Sequence, residues 1–101
     1  MKKIEAIIRP EKLEDVRKAL ISVKCSGMTI SEVEGHGRQQ GVIQQWRGEK
    51  YKIEFLSKVK IEVVVKDKDV NVIVQKIVEM AKTGEIGDGK IFILPVEDVV
   101  R

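Results

Sequence analysis

Between residues 58 and 81 the hydrophobic period changes from two to between three and four, and this change constrains the architecture most. Val59, Ile61, Val63 and Val65 alternate with Lys58, Lys60, Glu62 and Val64, so one side of a strand is apolar and the other mostly charged. Val70, Ile73, Ile77, Met80 and Ala81 then recur at helical spacing, with Asp67 or Asp69 placed to cap the helix. A half-apolar strand followed by an amphipathic helix calls for two layers, the helix covering the sheet.

The first third of the chain repeats the scheme. Residues 3–8 alternate and then run apolar, as a strand does. Pro10 suits a first helical turn, and Glu11 sits well at the positive end of the dipole. Leu13, Val16, Leu20 and Val23 form one helix face, and Gly27 ends that region. Residues 28–34 are rich in β-branched side chains and read as a second strand stopped by Gly35. A last strand, 90–94, follows a glycine-rich turn and leads through Pro95 into a short extended tail. The order β-α-β-β-α-β defines an α+β, ferredoxin-like sandwich: one antiparallel sheet with both helices on one face. The 101 residues suit a single domain spanning 1–101.

One stretch does not fit a minimal version of this fold. Roughly twenty residues, 35–57, separate the two middle strands, and unstructured loops beyond about 12–15 residues are uncommon in compact domains. Either the hairpin strands extend further, with a turn near Gly48, or the segment is an arm. Gly35, Gly37, Gly41 and Gly48, with Trp46 and Tyr51, favour an arm carrying a few large contact residues, where recognition is expected.

Composition narrows the function classes. The net charge of +3 arises from 19 basic and 16 acidic side chains that are interspersed, unlike the one-sided basic face of a nucleic-acid binder. Cys25 is the only cysteine, so an internal disulfide and a cysteine-rich metal site are excluded, which fits a reducing compartment. Glu5 and Arg9 interrupt the apolar run behind the basic start, unlike a signal peptide. No apolar stretch approaches the roughly 20 residues that span a bilayer. A soluble, cytoplasmic protein is expected.

The segment Thr83-Gly84-Glu85-Ile86-Gly87-Asp88-Gly89-Lys90 carries the clearest chemistry. Gly84 to Lys90 satisfies G-x-x-x-x-G-K, but Ile91 stands where a P-loop has its magnesium-binding hydroxyl. The order is also helix-loop-strand, the reverse of a P-loop. Three glycines nevertheless permit positive φ angles, which let backbone N–H groups converge on an anion, and Lys90 adds charge at the edge. An ordinary helix-to-strand turn is the competing reading. Arg38 could pair with phosphate, and Lys58 could meet a carboxylate at the root of the arm. His36, the only histidine, rules out a histidine-based metal cluster, and Glu62 could pair with Lys90 across neighbouring strands. No nucleophile-base pair stands out, so nothing argues for an enzyme.

Several segments together resemble the PII signal-transduction proteins of nitrogen regulation: the start through Pro10, Gly27-Met28-Thr29, Gly35-His36-Gly37-Arg38-Gln39, Trp46-Arg47-Gly48, residues 56–62, and 83–92. The resemblance spans essentially the whole chain, and its last segment is the most specific. It implies a homotrimer with nucleotide sites in the clefts between subunits, where ATP and ADP compete. The positions that match the nucleotide-binding residues are Gly27, Met28, Thr29, Gly37, Arg38, Val64, Gly87, Asp88, Gly89, Lys90 and Arg101.

The resemblance further implies that magnesium and 2-oxoglutarate bind beside ATP at the base of the arm, the T-loop, here residues 36–57; the nucleotide-binding turn is 82–90. Gln39 would complete the metal and 2-oxoglutarate shell, and Lys58 would pair with the distal carboxylate. An oxygen-rich shell suits magnesium. The implied role is a sensor in which 2-oxoglutarate reports nitrogen shortage and ATP against ADP reports energy. The arm then engages an ammonium channel, glutamine synthetase or regulatory proteins. Arg47 matches the arginine inserted into the channel, and Tyr51 the tyrosine nucleotidylated in some bacterial members. Glu49 replaces a serine phosphorylated in some relatives, and Ser57 replaces a common proline. Relatives commonly carry a further arginine and a Thr-Gly-Glu stretch beyond Arg101.

Two other readings compete. A nucleic-acid-binding module of the same fold would read bases through exposed aromatics, but the chain has only four aromatic residues in all, and only Phe92 lies on an expected strand core. A slow hydrolase of ATP or acyl phosphates would use Arg38 and Glu62.

Overall fold

The computed structural model describes the backbone of residues 1–38, 44–46, 49–51 and 53–101, and the side chains of 1–34 and 57–101. Strand β1 (Lys2–Ile8) leads through a 3-10 turn at Pro10–Lys12 into helix α1 (Leu13–Ser22) and strand β2 (Thr29–Arg38). Two short strands, β3 (Gln44–Trp46) and β4 (Glu49–Tyr51), precede the long β5 (Ile53–Val65). A second 3-10 turn, Asp67–Asp69, opens α2 (Val70–Ala81), and β6 (Gly89–Pro95) follows.

The main sheet has the order β2-β5-β1-β6, with every neighbouring pair antiparallel. Helix α1 therefore carries the chain from β1 past the position of β5 to β2, and α2 carries it from β5 past β1 to β6. These two interleaved crossovers make the expected ferredoxin-like fold.

The two periods read in the sequence meet in the core. Ile4, Ala6 and Ile8 of β1 and Val59, Ile61 and Val63 of β5 turn toward Val16 and Leu20 of α1 and Ile73, Ile77 and Ala81 of α2, all buried. Burying each large aliphatic side chain contributes about 1.5–3 kcal/mol before the entropy of ordering is subtracted. Met80 does not join the stripe and is 36% exposed, because it falls off the face that Ile73, Ile77 and Ala81 share.

Several expected boundaries move. Helix α1 ends at Ser22 rather than near Gly27: Cys25 N–H donates to Leu20 C=O and Lys24 N–H to Ile21 C=O, closing the helix with Lys24 at φ 64°. Neither Asp67 nor Asp69 caps α2 through its side chain; Asp67 instead meets the N-terminal ammonium of Met1 at 3.0 Å. Gly35 does not stop β2, which pairs on with β5 as far as Arg38 opposite Ile53. A paired strand keeps its ladder hydrogen bonds through a glycine, so an isolated glycine weakens a strand without ending it. The extended-hairpin reading of the arm is thus realised in part. The sheet runs into it, and β3 pairs with β4, Trp46 opposite Glu49.

The face away from the helices is amphipathic. Lys3 Nζ bridges Glu5 Oε1 at 3.0 Å and Glu62 Oε2 at 2.7 Å, while Lys60 lies 3.4 Å from Glu62. Glu62 does not pair with Lys90, because β1 lies between their strands. Beside these charges, Val64, Phe92 and Leu94 remain 39–46% exposed, so Phe92 is a surface residue of β6 and not part of a strand core. No helix among the described residues is long and apolar enough to cross a membrane.

Candidate anion-binding turn at the strand ends

The site grows out of the sheet register. Ile8, the last residue of β1, faces Val59 on one side and Gly89 on the other. One step further along, Lys58, Arg9 and Asp88 fall in a row across three adjacent strands at the end where β1 stops. Pro10 turns the chain away there, so Arg9 sits at the lip of the sheet.

The turn from α2 to β6 leans over this row. Gly84, Gly87 and Gly89 take φ of 86°, 96° and 124°, a region that residues with a Cβ rarely enter. At Gly89 the requirement is doubled, since a Cβ there would lie 1.8 Å from the carbonyl oxygen of Ile7. Gly89 is therefore needed for β6 to dock on β1, whatever its part in binding.

Asp88 staples the turn. Its carboxylate accepts the N–H groups of Thr83 and Gly84, each at 2.9 Å, the Thr83 hydroxyl, and Arg9 Nε at 3.2 Å. The Thr83 hydroxyl and N–H, with help from Gly84 and Arg9, hold this carboxyl well below the usual carboxylate range. Arg9 also donates from Nη2 to the Ile86 carbonyl at 2.9 Å, and the Lys58 ammonium donates to the Gly87 carbonyl. Burial, and then the neighbouring Arg9 guanidinium, push the Lys58 amine below its ordinary value. A cation so disfavoured by its surroundings is favoured again by an arriving anion.

Lys90 stands exposed at the start of β6. An open cavity of about 370 Å³ runs beside the turn, between α2 at Val74, Ile77 and Val78 and β6 at Gly89, Lys90 and Ile91. A second, of about 360 Å³, lies at the root of the arm between Pro10, Glu32, Glu34, Ser57 and Lys58. Glycine-enabled backbone with three cations around it suits a phosphate or carboxylate ligand.

The residues anticipated for nucleotide binding fall into two groups within one chain. Gly87, Asp88, Gly89 and Lys90 share the end of the sheet with Lys58. Thr29 pairs with Glu62 at the opposite end, where Gly27, Met28 and Val64 also lie, and Arg101 follows six residues after β6. Lys58 and Val64 are six strand residues apart, or about 20 Å. Gly37 and Arg38 lie further up the β2–β5 ladder, with Arg38 opposite Ile53, about 17 Å along the strand from the Lys58 row. Tyr51 ends β4, and Gln39 and Arg47 lie outside the described residues. Arg9 and Thr83 were missed by the sequence reading. The sequence signals were present: an arginine directly before the proline that ends a strand, and a threonine five residues before an aspartate in a glycine-rich turn.

Comparison with known proteins adds a consistent picture. A family model described as "Nitrogen regulatory protein P-II" matches residues 1–101. The chain is 58% identical, over all of its 101 residues and 90% of the relative, to the nitrogen regulatory protein P-II of Microchaete diplosiphon. It is 57% identical to P-II 2 of Methanothermobacter thermautotrophicus, with 88% of that protein covered. It is 54% identical to P-II 1 of Escherichia coli K12, with 90% covered.

Proposed function

The chain belongs to the nitrogen regulatory protein P-II family, and on that premise we propose that it senses ATP or ADP together with 2-oxoglutarate and reports to target proteins through its arm. The relatives are named as regulatory proteins, in keeping with a sensor and not a catalyst. The observation that carries the reading is the turn at 83–90, whose three positive-φ glycines suit an anion-binding backbone and whose carbonyls are held from outside by Arg9 and Lys58.

The separation of the anticipated nucleotide residues supports a shared site. A single chain offers the turn at one end of its sheet and Gly27, Met28, Thr29 and Val64 at the other. A second copy would bring its own far end against the turn, which is the arrangement of a homotrimer with a nucleotide in each cleft. The exposed Val64, Phe92 and Leu94 give such an assembly an apolar surface to bury.

In this reading the turn and Lys90 bind the phosphates, and Lys58, at the root of the arm, meets the distal carboxylate of 2-oxoglutarate. Among the described residues no group of three or more His, Cys, Asp or Glu side chains could hold a metal, so magnesium would rely on ligand oxygens and the Gln39 amide. The two ligands bias the arm by binding one arrangement better, and the arm engages an ammonium channel, glutamine synthetase or regulatory proteins, with Arg47 and Tyr51 as contact and modification points. Such a protein works in the cytoplasm and reaches the membrane only through a channel.

Calorimetric titration tests this. With Mg-ATP present, 2-oxoglutarate is expected to bind, and by reciprocity it tightens ATP by the same factor, about 5–150-fold. With ADP or without nucleotide it is expected to bind weakly. Equal 2-oxoglutarate binding under ATP and ADP contradicts the coupled sensor.

A further inference from the structure

We infer that Arg9 is the positioning residue of the anion-binding turn: it does not touch the ligand but fixes the peptide whose N–H does. The inference rests on the nucleotide reading above. Arg9 leaves the end of β1 and makes two contacts with a segment 77–79 residues away, to the Ile86 carbonyl at 2.9 Å and the Asp88 carboxylate at 3.2 Å.

Peptide geometry supplies the mechanism. No peptide bond here is cis, and in a trans peptide the C=O and the following N–H point in opposite directions. Holding the Ile86 carbonyl toward Arg9 therefore directs the Gly87 N–H to the other side of the turn. Gly87 has φ 96°, a conformation open to glycine, so without an external tether this peptide could flip at little cost. Asp88 closes the device, because the same carboxylate that accepts from Arg9 also ties down Thr83 and Gly84. Arg9 is only a quarter exposed at its side chain and has its Nε and Nη2 on the turn, so it is spent on shape.

Two contacts at fixed spacing also explain why arginine is needed. A guanidinium presents several donors in a rigid fork, whereas a lysine offers one compact ammonium that cannot reach both acceptors with the same geometry.

The test compares ADP, inorganic pyrophosphate and adenosine binding to the full chain and to R9M, R9K and D88N, each by titration with the thermal midpoint recorded alongside. R9M and D88N are expected to weaken ADP and pyrophosphate about tenfold while leaving adenosine within twofold. The double variant should be no worse than the weaker single one, since both remove one device. R9K should recover only part of the loss. ADP affinity within twofold of wild type in both R9M and D88N overturns the inference. So does an equal loss for adenosine and ADP, which marks a merely structural role. Wild-type protein that binds neither ADP nor pyrophosphate overturns the nucleotide reading itself, and this inference with it.

Discussion

Lys24 ends α1 in a left-handed conformation, φ 64°, at the position where helices commonly place glycine. A residue with a Cβ pays for that conformation, and glycine would not, although glycine is more disordered when unfolded. Lys24→Gly is therefore expected to stabilise the protein by about 0.5–1 kcal/mol in urea denaturation. A loss of stability would show that the lysine makes compensating contacts. The turn glycines are expected to differ from one another. Gly84→Ala meets open space and only backbone strain, costing about 1–2 kcal/mol. Gly89→Ala drives a methyl into the Ile7 carbonyl and is expected to cost about 4 kcal/mol or more, because relief requires β6 to leave β1. Similar stabilities for these two variants would contradict the close approach.

At the scale of elements, the 83–88 turn has its own acid sensitivity. Asp88 titrates below the ordinary aspartate value of about 3.9, so the folded state favours its ionised form. The stabilisation is thus fully present above the unfolded value and fades as pH falls through the folded one. The protection of the Thr83 and Gly84 amides, relative to their intrinsic exchange rates, is expected to hold from pH 6 to about 4 and to fall only below that. In D88N the protection of these amides is expected to be weaker and to lack this acid step. Fast exchange of wild-type Thr83 already at pH 5 would contradict the staple. The helix layer answers to a different force. Leu20 is fully buried between α1 and the sheet, so Leu20→Ala is expected to cost about 2–5 kcal/mol in the unfolding free energy.

At the scale of the whole molecule, the proposed shared site requires several copies of the chain to assemble. Each chain has a mass of 11.4 kDa, and light scattering at micromolar concentration is expected to report about three times that value. A Phe92→Asp, Leu94→Asp variant puts charge on the open face without touching the buried core, and is expected to reduce the mass toward one chain and abolish nucleotide binding together. A monomer that still binds ATP would contradict the shared cleft.

The sequence by itself determined the layer structure. Period two in 58–65 and helical period in 70–81 leave few ways to bury both stripes, and local chemistry of this kind acts between residues near one another in the chain. It also exposed the glycine-rich turn and its lysine, because positive φ is a property of single residues. Only the tertiary structure decided what that turn is made of. Arg9 and Asp88 are 79 positions apart and meet because β1 and β6 are neighbours in register. That same order separates Glu62 from Lys90 and sends Lys58 to the Gly87 carbonyl. Strand order is set by which crossovers can cover the sheet, a property of the whole chain that no local pattern records.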